Sequence, residues 1–156
     1  MNIAGISRRR FCATAGVGLA ASLLARLPAG AQSPAASAPT DADWRAIRTV
    51  VEAQRAALVA DDGERAFGHA SPGIRRQFVD APTFVAMVRR SYSALIDARD
   101  AVLLDGAAID GHVIQPLRLV MPDNTVLVAL YTMERQPDGG WKIAGCAIAP
   151  STLRAT

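Results

Sequence analysis

The sequence predicts an α+β domain, with helices first and an antiparallel meander sheet after them. Three observations predict this class. Apolar residues recur at helical spacing up to about Asp97. Beyond that point the period shortens to that of strands. The strand-like runs are punctuated by compact turn signals, Pro122-Asp123-Asn124 and Pro137-Asp138-Gly139.

Thr40 is placed to cap the first helix, with Asp43 at the third helical position, where the helix dipole favours a carboxylate. Trp44, Ile47, Val51, Gln54 and Leu58 form one face, with Arg45, Arg48, Glu52 and Arg55 largely opposite, so a helix is expected over 41–60. Asp61-Asp62-Gly63 breaks it, and 64–69 makes about two turns, weakened by Gly63 and Gly68. Ser71-Pro72 reads as a cap followed by proline at the first helical position, opening a short turn that carries Ile74, Phe78 and Val79. Asp80 and Pro82 repeat the start signal; Phe84, Met87, Val88 and Tyr92 then make a stripe, with Arg89 and Arg90 at the end that favours cations.

In the second half, 101–104 is a short strand and Asp105-Gly106 a turn. A second strand runs over 112–121, where Pro116 signals a bulge or an edge. The clearest strand is 125–135; Val126, Leu127, Val128 and Leu130 are apolar on both faces, which predicts a central position. Pro137-Asp138-Gly139 is a hairpin turn, and 141–149 completes the meander, with Gly145 marking a bulge or a close backbone approach. No internal repeat is present. The helices suffice for one face of the sheet, so a strand apolar on both sides implies a pocket or a partner on the other.

The chain starts differently. Ser7-Arg8-Arg9-Arg10-Phe11 precedes a mildly apolar run from Ala13 to Leu24, and Ala29-Gly30-Ala31 follows. This is the layout of a twin-arginine export signal, cleaved after Ala31; an ordinary secretory signal that begins with three arginines is the alternative. The expectations are recognition by the twin-arginine machinery, export in the folded state, and a periplasmic or secreted location. The run falls short of the ~20 residues of a membrane helix, so no stable anchor is expected. Cys12 precedes the run and is not a lipid attachment site. The expected organisation is signal 1–31, disordered tether 32–40, one domain over 41–150 and a tail over 151–156.

Removing the signal changes the charge. The whole chain has 17 basic and 14 acidic residues, and the first 31 hold four arginines and no acid. What remains is close to neutral and slightly acidic, which does not support a nucleic-acid partner. Cys146 is the cysteine left after cleavage, so no internal disulfide forms and the domain relies on packing.

The stretch Phe67-Gly68-His69-Ala70-Ser71-Pro72-Gly73-Ile74-Arg75, the run Phe84-Val85-Ala86-Met87-Val88-Arg89 and the ending Tyr131 to Cys146 resemble the bacterial family called domain of unknown function 4864, over roughly 50–150. The resemblance implies no activity. It implies a fold similar to the cone-shaped nuclear transport factor 2 superfamily, in which helices wrap a curved sheet around a pocket and copies often pair through the sheet. That superfamily holds isomerases, dehydratases and non-catalytic binders, so the fold does not select a function.

The candidate chemistry is sparse. His69 and His112 are the histidines of the chain; they lie on separate elements without ligand spacing, and neither a metal nor a cofactor is expected. Cys146 alternates with Ala144 and Ile148, the pattern of a buried thiol. Ser71 is explained as a cap, and Arg75 and Arg76 as a solvated face. Glu134 shares a strand face with Val126, Val128 and Leu130. Aimed into an apolar cavity it would have a raised pKa and act as a general base; at a strand end it is instead an edge-exposed glutamate. Tyr92, Tyr131 or His69 would supply the donor beside it; each tyrosine is equally an ordinary core aromatic. The favoured expectation is a non-catalytic exported domain that binds a small apolar ligand or a protein partner, with a homodimer as one form of that partnership. The alternative is a cofactor-free isomerase or hydrolyase built on Glu134.

Overall fold

The computed structural model describes residues 38–151. The twin-arginine motif, the Ala31 cleavage site, most of the tether and the end of the tail lie outside the described residues.

Helix α1 spans Asp41–Val59 and opens with a capping box. Thr40 Oγ1 accepts from the Asp43 N–H at 3.2 Å, while the Asp43 carboxylate accepts from the Thr40 N–H at 2.9 Å and from its hydroxyl at 2.7 Å. Ile47, Val51, Gln54 and Leu58 are buried, the face that the spacing predicts. Helices α2 (Gly63–Gly68), α3 (Pro72–Gln77) and α4 (Ala81–Ser91) begin at side-chain caps from Asp62, Ser71 and Asp80. A four-residue helix, α5 (Ala94–Asp97), follows; the sequence pattern does not signal it. Val79, expected to pack with Ile74 and Phe78, is 93% exposed. Phe78 turns inward at the end of α3 and takes the packing position, leaving Val79 in the link to α4.

Five antiparallel strands follow: β1 (Asp100–Leu103), β2 (Ala107–Ile109), β3 (His112–Val120), β4 (Val126–Arg135) and β5 (Trp141–Pro150). The order is β1-β3-β4-β5, and β2 pairs with the first part of β3, the part that β1 leaves free. The result is an open, curved sheet with β4 in its interior. Asp110 and Gly111 both have positive φ, which makes the tight turn joining β2 to β3.

Pro116 is neither at a bulge nor on an outer strand. Its carbonyl accepts from the Leu104 N–H at 3.1 Å, so its missing N–H faces the gap between β1 and β2 and costs no bond to β4. Gly106 lies in that gap against the Trp44 ring, where a Cβ would collide with the indole.

The helices cover one face. Leu117, Leu119, Ala129, Tyr131, Met133 and Ile143 point into a core shared with Ile47, Val51, Phe84 and Leu95. Val102, Val128 and Leu130 point the other way, and Val102 and Leu130 are 39% and 38% exposed. The outer edge of β5 is partly closed by the link between α2 and α3: the Ile143 N–H donates to the His69 carbonyl at 3.0 Å, and the Ser71 N–H to the Ile143 carbonyl at 2.8 Å.

One buried polar contact joins the two halves. The Trp141 indole N–H donates to Asp43 Oδ1 at 3.0 Å, and the Arg135 guanidinium, which lies over the Trp141 ring, sits 3.5 Å from the same oxygen. Hydrogen bonds from Thr40, then Trp141, with Arg135 nearby, hold the Asp43 carboxyl at about 2 against an ordinary 3.8. A carboxyl lowered on folding stabilises the fold fully above its unfolded value and loses that contribution as pH falls through its folded value. Denaturant midpoints of residues 32–156 should therefore drop between pH 3.8 and about 2. Asp43→Asn should be less stable at neutral pH and show a flatter profile across that window. An unchanged neutral midpoint would remove Asp43 from this role.

Candidate functional site

Between the helices and β5 lies a cavity of about 270 Å³. Each wall has a local cause. α1 supplies Gln54 and Leu58 from its buried face, and α4 supplies Met87 and Val88 from its apolar stripe. Phe84 packs against Phe67 with ring centroids 5.2 Å apart and meets Phe78 edge-on at 5.6 Å, which fixes the aromatic wall.

The sheet wall depends on a bulge. The β4–β5 register shifts at Thr132/Met133, so Met133 opposes Ile143, Thr132 opposes Gly145, and Ala144 opposes nothing. Ala144, Gly145 and Cys146 then line the cavity with small side chains. Gly145, read as a bulge or a close backbone approach, stands next to the bulge, whose unpaired residue is Ala144.

The cavity contains no charge: among the described residues that line it, none is Asp, Glu, Lys, Arg or His. Its polar groups are the amides of Gln54 and Gln77, the Tyr92 hydroxyl and the Cys146 thiol. Burial pushes the thiol up to about 12, which disfavours the thiolate that nucleophilic attack requires.

The structure separates the residues that the sequence singled out. Tyr92 caps the end of α4 and lines the cavity. Tyr131 is fully buried on β4 and does not line it; among the described residues its hydroxyl has no partner, and burial raises its pKa strongly. Glu134 is exposed near the end of β4, on the face that alternates away from Tyr131 and Met133, with Lys142 opposite it in the ladder. It shares that face with Val128 and Leu130, but the face is the uncovered one. His69 is half-buried at the end of α2, outside the cavity; burial, then the charges of Lys142 and Arg65, lower its pKa and favour the neutral ring. His112 is exposed at the start of β3. Ser71 caps α3, and Arg75 lies over the Phe67 ring at 5.3 Å, leaving Arg76 exposed. Glu134 and Tyr92 are thus not brought into one pocket.

Gln54, like Gln77, is a polar lining residue that sequence reasoning did not single out as functional. The signal was there: it is an uncharged polar residue in the middle of an apolar helical stripe.

A family model described as a domain of unknown function (DUF4864) matches residues 40–156. Helices followed by a curved, open antiparallel sheet are compatible with the cone-shaped arrangement of the nuclear transport factor 2 superfamily. No curated protein and no solved structure matches the chain.

An unpartnered buried hydroxyl costs about 1–3 kcal/mol relative to a satisfied one. Tyr131→Phe keeps the ring and removes that group, so its urea midpoint should be equal to or above that of the parent. A loss of more than about 1 kcal/mol would show that the hydroxyl has a partner in solution.

Proposed function

We propose that this chain, which belongs to the family of domain of unknown function 4864, is an exported, non-catalytic domain that holds a small apolar ligand between its helices and β5. The observation that carries this reading is the cavity of about 270 Å³, walled by aliphatic and aromatic side chains and free of charged ones among the described residues. Its size lies just below the range of about 300–1,000 Å³ of drug-sized sites, which suits a compact ligand. The neutral, high-pKa thiol of Cys146 fits binding better than nucleophilic attack. An isomerase or hydrolyase reading would need a carboxylate beside Tyr92, and Glu134 lies on the opposite face of the sheet.

The uncovered sheet face supports a second part of the proposal, a homodimer. Val102, Val128 and Leu130 present apolar surface there, and burying it against a copy stabilises at about 25 cal/mol per Å². Export by the twin-arginine route rests on Ser7–Phe11 and on Ala29-Gly30-Ala31.

One experiment reads all three parts. Native mass spectrometry of protein recovered from the periplasm should give a chain that starts at Gln32, a dimer, and a bound small molecule. Arg8→Lys with Arg9→Lys should leave the full-length precursor in the cytoplasm. Recovery of the mature form at the normal rate would overturn the route. Met87→Trp fills the cavity from a half-buried position and should abolish the bound mass without unfolding the domain. Leu130→Glu should give a monomer at micromolar concentration in sedimentation; an unchanged dimer would place the interface elsewhere.

A further inference from the structure

We infer that the cavity selects an uncharged, largely apolar ligand that carries one hydrogen-bond donor, a hydroxyl or an amide N–H, and that the donor is given to Gln54 Oε1. This rests on the ligand-binding reading above and names the class of ligand.

Gln54 is 4% exposed, in a helix face otherwise made of Ile47, Val51, Ala57 and Leu58. Its Nε2 donates to the Ala66 carbonyl at 3.3 Å, which fixes the orientation of the amide: the nitrogen faces α2 and the oxygen is turned away from it. Among the described residues no group donates to Oε1. The oxygen is nevertheless not sealed in the core, unlike the unpartnered side-chain atoms of Gln115 and Tyr131. Gln54 lines the cavity, and the proposal places this acceptor at its wall. An amide oxygen so placed is an acceptor that a ligand must satisfy or leave unpaired, and leaving it unpaired is the costly outcome.

The same wall excludes charge. A carboxylate entering the cavity would lose its hydration and find no cation among the lining residues, while facing the Gln54 oxygen; an ammonium would find no anion. The other polar side chains of the lining, Gln77, Tyr92 and Cys146, offer no ionic partner. The aromatic side chains of Phe78 and Phe84 in the lining favour a ring system.

The test uses residues 32–156 and four probes of one skeleton: naphthalene, naphthol, the methyl ether of naphthol, and naphthoate. Affinities are read by calorimetry. Naphthol should bind about tenfold more tightly than naphthalene and the ether, the size of one buried hydrogen bond, and naphthoate should bind most weakly. Gln54→Met keeps the volume and removes the acceptor; it should bring naphthol to within about threefold of naphthalene while leaving naphthalene affinity unchanged, which also reports an intact cavity. Equal binding of naphthol and naphthalene by the parent protein, or naphthoate bound as tightly as naphthol, would overturn the inference and leave the cavity as a plain apolar site. A parent protein that binds none of the four would overturn the ligand-binding reading itself. The parent comparison needs no variant to fold.

Discussion

The fold is organised around the contact between Asp43 and Trp141. These residues are 98 positions apart, one in the first turn of α1 and the other at the start of β5. The same carboxylate completes the capping box of α1, accepts the indole N–H and faces Arg135. Start of helix and start of the last strand are therefore fixed to one buried anion. From that point α1 packs against β5, and its Ile47 and Val51 join the core that holds the inward side chains of β3 and β4. A second fastening lies two residues along β5, where Ile143 exchanges backbone bonds with His69 and Ser71. Lys142 adds a bond from its ammonium to the Gly68 carbonyl at 2.6 Å. The cavity adjoins these attachments: Ile143 lines it, and so do Ala144, Gly145 and Cys146 across the register shift.

What the sequence made legible is what depends on local chemistry. The caps at Thr40, Ser71 and Asp80, the stripe of α1 and the bulge beside Gly145 are each decided by residues within a few positions of one another. Helix α5 and strand β2 are too short to show a period, and their neighbours rather than their own residues hold them. Pro116 was read by a rule about ladders, but what matters is which side of β3 its nitrogen faces, and that depends on where β1 ends. Glu134 shows the same limit at the site. Alternation correctly groups it with Val128 and Leu130. It does not say which of two apolar faces the helices cover, because β4 is apolar on both.

The two faces of the sheet differ in their polar residues as much as in cover. Arg118 stands on the uncovered side, between Val102 and Val128 in the ladder, half-buried, with its Nε sealed and unpartnered among the described residues. A charge on that side can reach water or a partner's acceptor. The inner side carries two buried glutamines, Gln54 from α1 and Gln115 from β3, and one buried carboxylate, Asp43, which Thr40, Trp141 and Arg135 satisfy. An amide can be buried where an unpaired ion cannot, because its hydrogen bonds are met without bringing a counterion along.

The two glutamines are not equivalent. Gln115 spends its Nε2 on Leu104 and Pro116, at 2.7 and 3.0 Å, and so bridges the break between β1 and β2 that the proline leaves without an N–H. Its oxygen is sealed in the core, where no ligand reaches it. That is a structural amide, with one half working for the sheet and the other bearing a desolvation cost. Gln54 makes a single longer bond to Ala66, and its oxygen is not among the sealed, unpartnered atoms of the described residues. A leucine would fit the stripe of α1 with no oxygen to desolvate, so packing alone does not account for an amide at this position. The difference between the two lies in access: one is enclosed by the backbone it bridges, and the other stands at the wall of the cavity.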